Sequence, residues 1–316
     1  MRIRDAGPVC DRLWYFGREE SGIYLLEGRR HSLIISGGMS YLAPDVLDQL
    51  HRFGIDEERI DRLLILHAHF DHVGLVPLFR RRCTQIELYA SARGWEILQM
   101  PKAIDTINAF SRLVAERMGV SASLEGHDLE WRLEPAGYAV KEGDVMDLGG
   151  VTVHIFETPG HSSCSISAYV PELKALFPSD GGGVPFAETI LPTGNSNFTQ
   201  YQQSLQKLRA CKTEILCADH YGYVTGPEAG DYIDRSIALA AEERNRVESI
   251  FLRTGSVDET VRELTEEFDG QHPGYFLAPE IRAGIYRQVV RHIAGALKDG
   301  PAPAVEPVRG RDRADP

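Results

Sequence analysis

Three imidazoles and a carboxylate, those of His67, His69, Asp71 and His72, follow directly on the apolar run Leu63-Leu64-Ile65-Leu66. A short apolar run of this kind reads as a buried strand. The residues after it leave the sheet at its carboxyl end, where ligands of open α/β sheets bind. With 11 histidines in 316 residues, three within six positions beside an aspartate form a cluster rather than a scatter. Neutral imidazole and carboxylate together suit Zn, Fe, Mn or Co, and the absence of cysteine from the cluster argues against a closed structural zinc site. The expectation is a catalytic ion at a strand end.

Partners for such a cluster recur downstream. Residues 151–156 alternate like a strand and lead into Thr158-Pro159-Gly160-His161, where proline and glycine force a tight turn that presents His161 inward. Residues 173–177 read as a second short strand, closed by Ser179-Asp180-Gly181-Gly182-Gly183. Asp180 there precedes glycines that let backbone approach closely. Residues 214–217 form a third, ending in Ala218-Asp219-His220-Tyr221. Each candidate ligand ends a predicted strand.

This series, His-x-His-x-Asp-His, then a His after a Pro-Gly turn, then an Asp, then a last His, resembles the pattern of the metallo-β-lactamase superfamily. The resemblance implies that His67, His69 and His161 hold one metal ion, that Asp71, His72 and His220 hold another, and that Asp180 bridges them. It also implies an α/β fold, the αββα metallo-β-lactamase sandwich with a C-terminal helical extension, and two divalent ions per chain. Zinc is the first choice, with iron or manganese as alternatives. The implied reaction is attack on an activated acyl group by a hydroxide bridging the ions, since metal binding brings the pKa of water down to roughly 7. Asp71 would take the proton. His69 stands where the oxygen-reducing diiron branch carries glutamate, which favours hydrolysis over redox chemistry.

Residues 1–230 are read as the catalytic domain, 231–299 as a helical cap and 300–316, with four prolines, as a disordered tail. Within the first unit, residues 95–119 carry a helical apolar stripe that includes Ile97, Ile107, Phe110 and Leu113, a candidate wall for a substrate cavity. In the cap, residues 232–253 and 278–298 read as helices, and Ser256-Val257-Asp258-Glu259 as a capping box that starts another. A cap in this position resembles two branches of the superfamily, the glyoxalase II type acting on glutathione thioesters and the PqsE-like thioesterases acting on an aromatic acyl-coenzyme A. Ser179 before Asp180, and the segment Phe276-Leu277-Ala278-Pro279-Glu280-Ile281, look closer to the second. The expected substrate is therefore an acyl-coenzyme A thioester. A lactone, a glutathione thioester or a regulatory protein that keeps the site are the alternatives. Tyr221, Tyr223, His272, Tyr275 and Phe276 are the candidate substrate contacts.

The remaining expectations concern surroundings. Lys and Arg number 34 against 46 Asp and Glu, a net charge of −12, which disfavours nucleic acid because phosphate tracks need a basic face. The one dense basic run, Arg80-Arg81-Arg82, reads as a solvated helix end. No apolar span reaches 18 residues, and Met1-Arg2-Ile3-Arg4-Asp5 lacks a signal-peptide core, so a cytoplasmic chain without membrane partners is expected. Five scattered cysteines read as buried thiols. The partner is a small acyl compound, and a homodimer is left open.

Overall fold

Alternation along the strand Ile60–Leu64 and its extension sends Leu64 and Leu66 to one side and Leu63 and Ile65 to the other, all no more than 1% exposed. A strand buried on both faces needs a layer on each. In the computed structural model, which describes residues 1–299, those layers are a second sheet on one side and helices on the other; the expected tail lies outside the described residues. Two seven-stranded sheets pack face to face with helices outside both, as the sandwich expectation requires.

The first sheet runs in the order Gly7–Cys10, Leu13–Arg18, Ser21–Glu27, Ser32–Ile35, Ile60–Leu64, Glu87–Ser91, Tyr138–Val140; its first four strands are antiparallel and the last three are added in parallel. The second runs Arg2–Ile3, Tyr223–Thr225, Ile215–Cys217, Ala175–Phe177, Ile166–Val170, Thr152–Glu157, Val145–Asp147. Tyr15, Tyr24, Leu26 and Ile35 of one inner face meet Val153, Ile155, Ile166 and Phe177 of the other. Each such apolar side chain contributes about 1.5–3 kcal/mol through burial. At the edge that bears the motif the sheets are joined directly, Ile166 N donating to Leu66 O at 2.9 Å.

Two expected elements differ from what is seen. Residues 95–119 are two helices, Ala92–Leu98 and Pro101–Arg117. Pro101 supplies no N–H and forces Met100 into an extended conformation, ψ 123°, so the first helix stops before it. The helix expected from residue 232 begins at Pro227 and runs Pro227–Thr254. The expected division at 230 thus falls inside a helix, whose Tyr232 and Ile233 share a core with Leu176, Leu216 and Val224 of the second sheet. The helix also holds the turn bearing Asp180: Tyr232 Oη donates to Gly183 O at 3.0 Å and Ser236 Oγ to Gly182 O at 2.8 Å.

Val257–Gln271 starts at the expected cap, with Glu259 N donating to Ser256 Oγ at 3.3 Å, but Ser256 N donates to Thr254 Oγ1 at 3.3 Å instead of to the Glu259 side chain, so only half of the box forms; Pro279–Asp299 completes the cap. Arg80, Arg81 and Arg82 end the helix Val76–Arg82 and pair with Glu134, Asp128 and Glu57, the solvated helix end expected of them. The cysteines are unbonded, but Cys10, on an edge strand, and Cys211 are only half-buried, against the expectation of five buried thiols. No helix among the described residues is long and apolar enough to cross a membrane.

The turn after Thr152–Glu157 depends on Gly160, which has φ +132° and accepts from Ser196 N at 3.0 Å and Asn197 N at 2.9 Å. A Cβ there would lie 2.2 Å from Tyr201 N. Gly160→Ala is therefore expected to cost about 2–5 kcal/mol from backbone strain and overpacking together. Urea denaturation measures it, and a change under about 0.5 kcal/mol, the usual size for a neutral surface substitution, contradicts this account of the turn.

Candidate metal centre

Every predicted ligand leaves a strand at the same edge of the sandwich. His67 follows Ile60–Leu64; His69 caps the short helix Phe70–Val73, which carries Asp71 and His72. Across the gap between the sheets, His161 sits in the Gly160 turn, Asp180 in the turn Ser179–Gly182 after Ala175–Phe177, and His220 after Ile215–Cys217. The short helix is pinned by Gly37 N donating to His72 O and Gly74 N to Gly38 O, both at 2.8 Å. Six of the seven side chains are buried; His69 is open to the cavity described below.

The donor atoms converge. His67, His69 and His161 form one group within 4.8 Å, Asp71, His72 and His220 another, and His67, His72 and Asp180 a third. Asp180 lies between the first two: its Oδ2 is 3.3 Å from both His161 Nε2 and His72 Nε2, and its Oδ1 is 3.6 Å from His220 Nε2. Asp71 Oδ2 stands 3.6 Å from His220 Nε2 and 3.7 Å from His72 Nε2.

Outward hydrogen bonds decide which nitrogen faces in. His161 Nδ1 donates to Thr193 O at 2.9 Å, His220 Nδ1 to Glu20 O at 2.7 Å and His72 Nδ1 to the Asp219 carboxylate at 2.8 Å. A carbonyl or carboxylate can only accept, so in the neutral imidazole each Nε2 carries a lone pair. These nitrogens point at other imidazole nitrogens: His161 Nε2 is 3.0 Å from His69 Nδ1, and His220 Nε2 is 3.3 Å from His72 Nε2. His67 Nε2 is buried with no hydrogen-bond partner at all. Converging lone pairs, an orphaned buried nitrogen and two carboxylates fit divalent cations.

The electrostatics agree for His67, His69 and His161. Burial, then the neighbouring imidazoles, holds His67 well below its ordinary pKa, and burial with His161 brings His69 down to about 4. His161 is lowered chiefly by burial. Neutral imidazole is the form that binds metal. Burial opposes charge on His72 and Asp180 too, but Asp180 and Asp71 outweigh it for the first, and His72, His220 and His161 for the second. His72 is held well above, and Asp180 well below, its usual range.

The metallo-beta-lactamase superfamily model matches residues 17–220, a span that contains all seven residues. The chain belongs to the metallo-β-lactamase superfamily. With the family and the His/Asp cluster together, it is a metal-dependent hydrolase. Among relatives of this superfamily member, the metallo-beta-lactamase fold-containing protein ST1585 of Sulfurisphaera tokodaii is 24% identical over 66% of this chain and 75% of its own length. An atrochrysone carboxyl ACP thioesterase of Aspergillus fumigatus is 27% identical over 51% of this chain but only 38% of its own. A hydroxyacylglutathione hydrolase of Legionella pneumophila is 22% identical over 58% and 65%. The crystal structure of the family protein TTHA1429 from Thermus thermophilus has the same fold, with a TM-score of 0.65, 16% identity and coverage of 92% of this chain and 95% of that one.

A cavity of 1110 Å³ opens over the cluster, floored by His69, Asp71, His161, Asp180 and His220. The helix Pro101–Arg117 lines one side with Ile107, Phe110 and Leu113, the wall its apolar stripe suggested. Phe276, Leu277 and the helix Pro279–Asp299, through Ile281, Ile285 and Val289, line the other. Of the five expected substrate contacts, Tyr275 and Phe276 line it, and the Phe276 ring stacks on His220 at 4.8 Å. Tyr221 lies outside the lining and packs on Phe186, Tyr275 and Phe276. His272 packs on Phe268 and Phe186, also outside. Tyr223, on the strand Tyr223–Thr225, points into the inter-sheet core against Tyr15 and cannot touch a ligand. Alternation had put it opposite the face a contact would need.

Sequence reading missed the groups that orient the imidazoles. Thr193 and Glu20 act through backbone carbonyls, which leave no side-chain signature, and Ser179 and Asp219 were visible only as neighbours of expected ligands. If Asp180 links the two groups, Asp180→Ala releases at least one metal ion while far-ultraviolet circular dichroism stays native. His127→Ala and His154→Ala leave metal content unchanged. Elemental analysis after chelator-free purification reads this, and unchanged metal in Asp180→Ala contradicts the bridging role.

Proposed function

We propose that the chain hydrolyses an acyl-coenzyme A type thioester with a large apolar or aromatic acyl group, at a centre of two divalent ions, zinc by preference. The observation that carries this reading is the 1110 Å³ cavity, lined mainly by apolar side chains and floored by His69, Asp71, His161, Asp180 and His220 of the cluster. Apolar walls with few convergent polar groups bind an acyl chain rather than a polar peptide. The relatives named for thioester hydrolysis support the same bond type. Lys102 and Arg117 are exposed cations of the lining, suited to phosphates on a coenzyme thiol; Lys102 has no ion-pair partner among the described residues, and Arg117 meets Glu280 at 3.8 Å.

His67, His69 and His161 would hold one ion and Asp71, His72 and His220 the other, with Asp180 between them. Ions so held would lower the pKa of water to roughly 7 and polarise the acyl oxygen. The chain's own residues do the rest. Phe110, Phe276 and Ile281 exclude bulk water and orient the acyl group over the floor. Asp71 Oδ2, between His72 and His220, can take the proton of the attacking water. Burial, then the Asp180 and Asp71 carboxylates, keep the Tyr275 phenol well above its ordinary pKa, so it stays a neutral O–H donor. Tyr275 lines the cavity, where it can donate to the acyl oxygen as charge develops.

A panel of coenzyme A thioesters, glutathione thioesters and lactones, with metal content checked throughout, tests this. Aromatic or medium-length acyl-coenzyme A is expected to turn over fastest, and activity is lost with chelation and regained with metal. Tyr275→Phe is expected to lower kcat about 10²-fold with KM nearly unchanged, the loss typical of one oxyanion donor. Phe276→Ala is expected to change kcat/KM ratios between aromatic and aliphatic acyl groups about tenfold. Uniform losses that track stability contradict the role of the loop, and faster glutathione or lactone turnover contradicts the substrate class.

A further inference from the structure

One buried carboxylate reaches both halves of the centre. Asp219, 2% exposed, accepts through a single oxygen, Oδ2, from His72 Nδ1 at 2.8 Å and from Ser179 Oγ at 2.6 Å. Ser179 Oγ is in turn 3.1 Å from His67 Nδ1. The direction of this chain of bonds is forced. An ionised carboxylate only accepts, so the Ser179 hydroxyl spends its one proton on Asp219 and offers a lone pair to His67, which must then carry its proton on Nδ1. His67 and His72 are thereby both set to present Nε2 inward, and His67 Nε2 is the buried nitrogen left without a partner. The backbone is built to keep the relay. Ser179 has φ +50°, a left-handed conformation that a non-glycine residue adopts at a cost. The other Asp219 oxygen, Oδ1, is buried and makes no hydrogen bond.

We propose that Asp219 is a positioning residue that sets the imidazole tautomer in both metal-ligand groups, directly at His72 and through Ser179 at His67. The two groups therefore lose their preorganised ligands together when Asp219 is changed. This contrasts with His161 and His220, each oriented by a backbone carbonyl of its own, that of Thr193 or Glu20. The proposal rests on the metal-centre reading above but not on the identity of the substrate.

The test compares wild type, Ser179→Ala and Asp219→Asn, all as full chains loaded with zinc, by competition with a chelator and by proton NMR of exchange-protected imidazole N–H groups. Asp219→Asn keeps the shape but can turn an N–H donor toward His72 Nδ1 and Ser179. Wild type is expected to bind zinc and show downfield Nδ1–H signals from both His67 and His72. Ser179→Ala should lose only the His67 signal and weaken one ion; Asp219→Asn should lose both signals and weaken both ions, each by about 10–100-fold, the usual effect of a partner behind a metal-bound histidine. Both zinc affinities within twofold of wild type in Asp219→Asn, or equal weakening of both ions in Ser179→Ala, overturns the proposal. Wild type that binds no zinc overturns the metal-centre reading instead. Should Asp219→Asn fail to fold, Ser179→Ala decides alone: retention of the His67 signal and of both affinities overturns the relay.

Discussion

Imidazole nitrogens that face each other at 3.0–3.3 Å, at the floor of the cavity, are the constraint on which the rest of this molecule turns. Where both nitrogens of a pair carry lone pairs they repel at that distance, and burial weakens the screening by water. The arrangement persists because His161, His220, His72 and His67 are held from behind, by Thr193 O, Glu20 O, Asp219 and Ser179. A divalent cation between the rings would complete it. Structure and chemistry are thus linked at one edge: the groups that pin the imidazoles hold the donors in place before any ion arrives.

The sandwich exists to hold that edge. Parallel addition of Ile60–Leu64 beside Ser32–Ile35, and of Ile215–Cys217 beside Ala175–Phe177, brings strand ends from both sheets to one rim. The inter-sheet core, with Tyr24 against Phe177 at 5.3 Å, fixes how the two rims face each other. A displacement there would move His67 relative to Asp180, because each sits only a few residues beyond a strand packed in that core. The C-terminal helices belong to the same unit physically. Tyr232 and Ser236 bond to the turn bearing Asp180, while the segment before Pro279 lays Phe276 over His220. The parts that shape the cavity therefore also brace the cluster.

Much of this was legible in the chain. Each of the seven clustered residues follows a short apolar or alternating run, and such runs end where backbone leaves a sheet, so one shared edge was foreseeable once the strands were recognised. The apolar stripe at Ile107, Phe110 and Leu113 announced a wall. What local pattern could not say was which side of a strand Tyr223 occupies, or that Tyr221 and His272 pack behind the cavity while Tyr275 and Phe276 line it. Those outcomes depend on which faces of distant elements meet. Pro101 was present to be read as a helix start, and the apolar spacing running across it masked the break.

Sequence by itself determined the donor set, its order and the strand-end context of each ligand, because residue type and spacing are local properties of the chain. Tertiary structure alone decided the tautomers, since these depend on Thr193, Glu20 and Asp219 arriving from remote segments. It alone decided the sharing of Asp180 between two groups contributed by both sheets. It also decided the cavity, whose two walls, Pro101–Arg117 and Pro279–Asp299, are far apart in the chain and meet only because the fold closes over its own metal-binding edge.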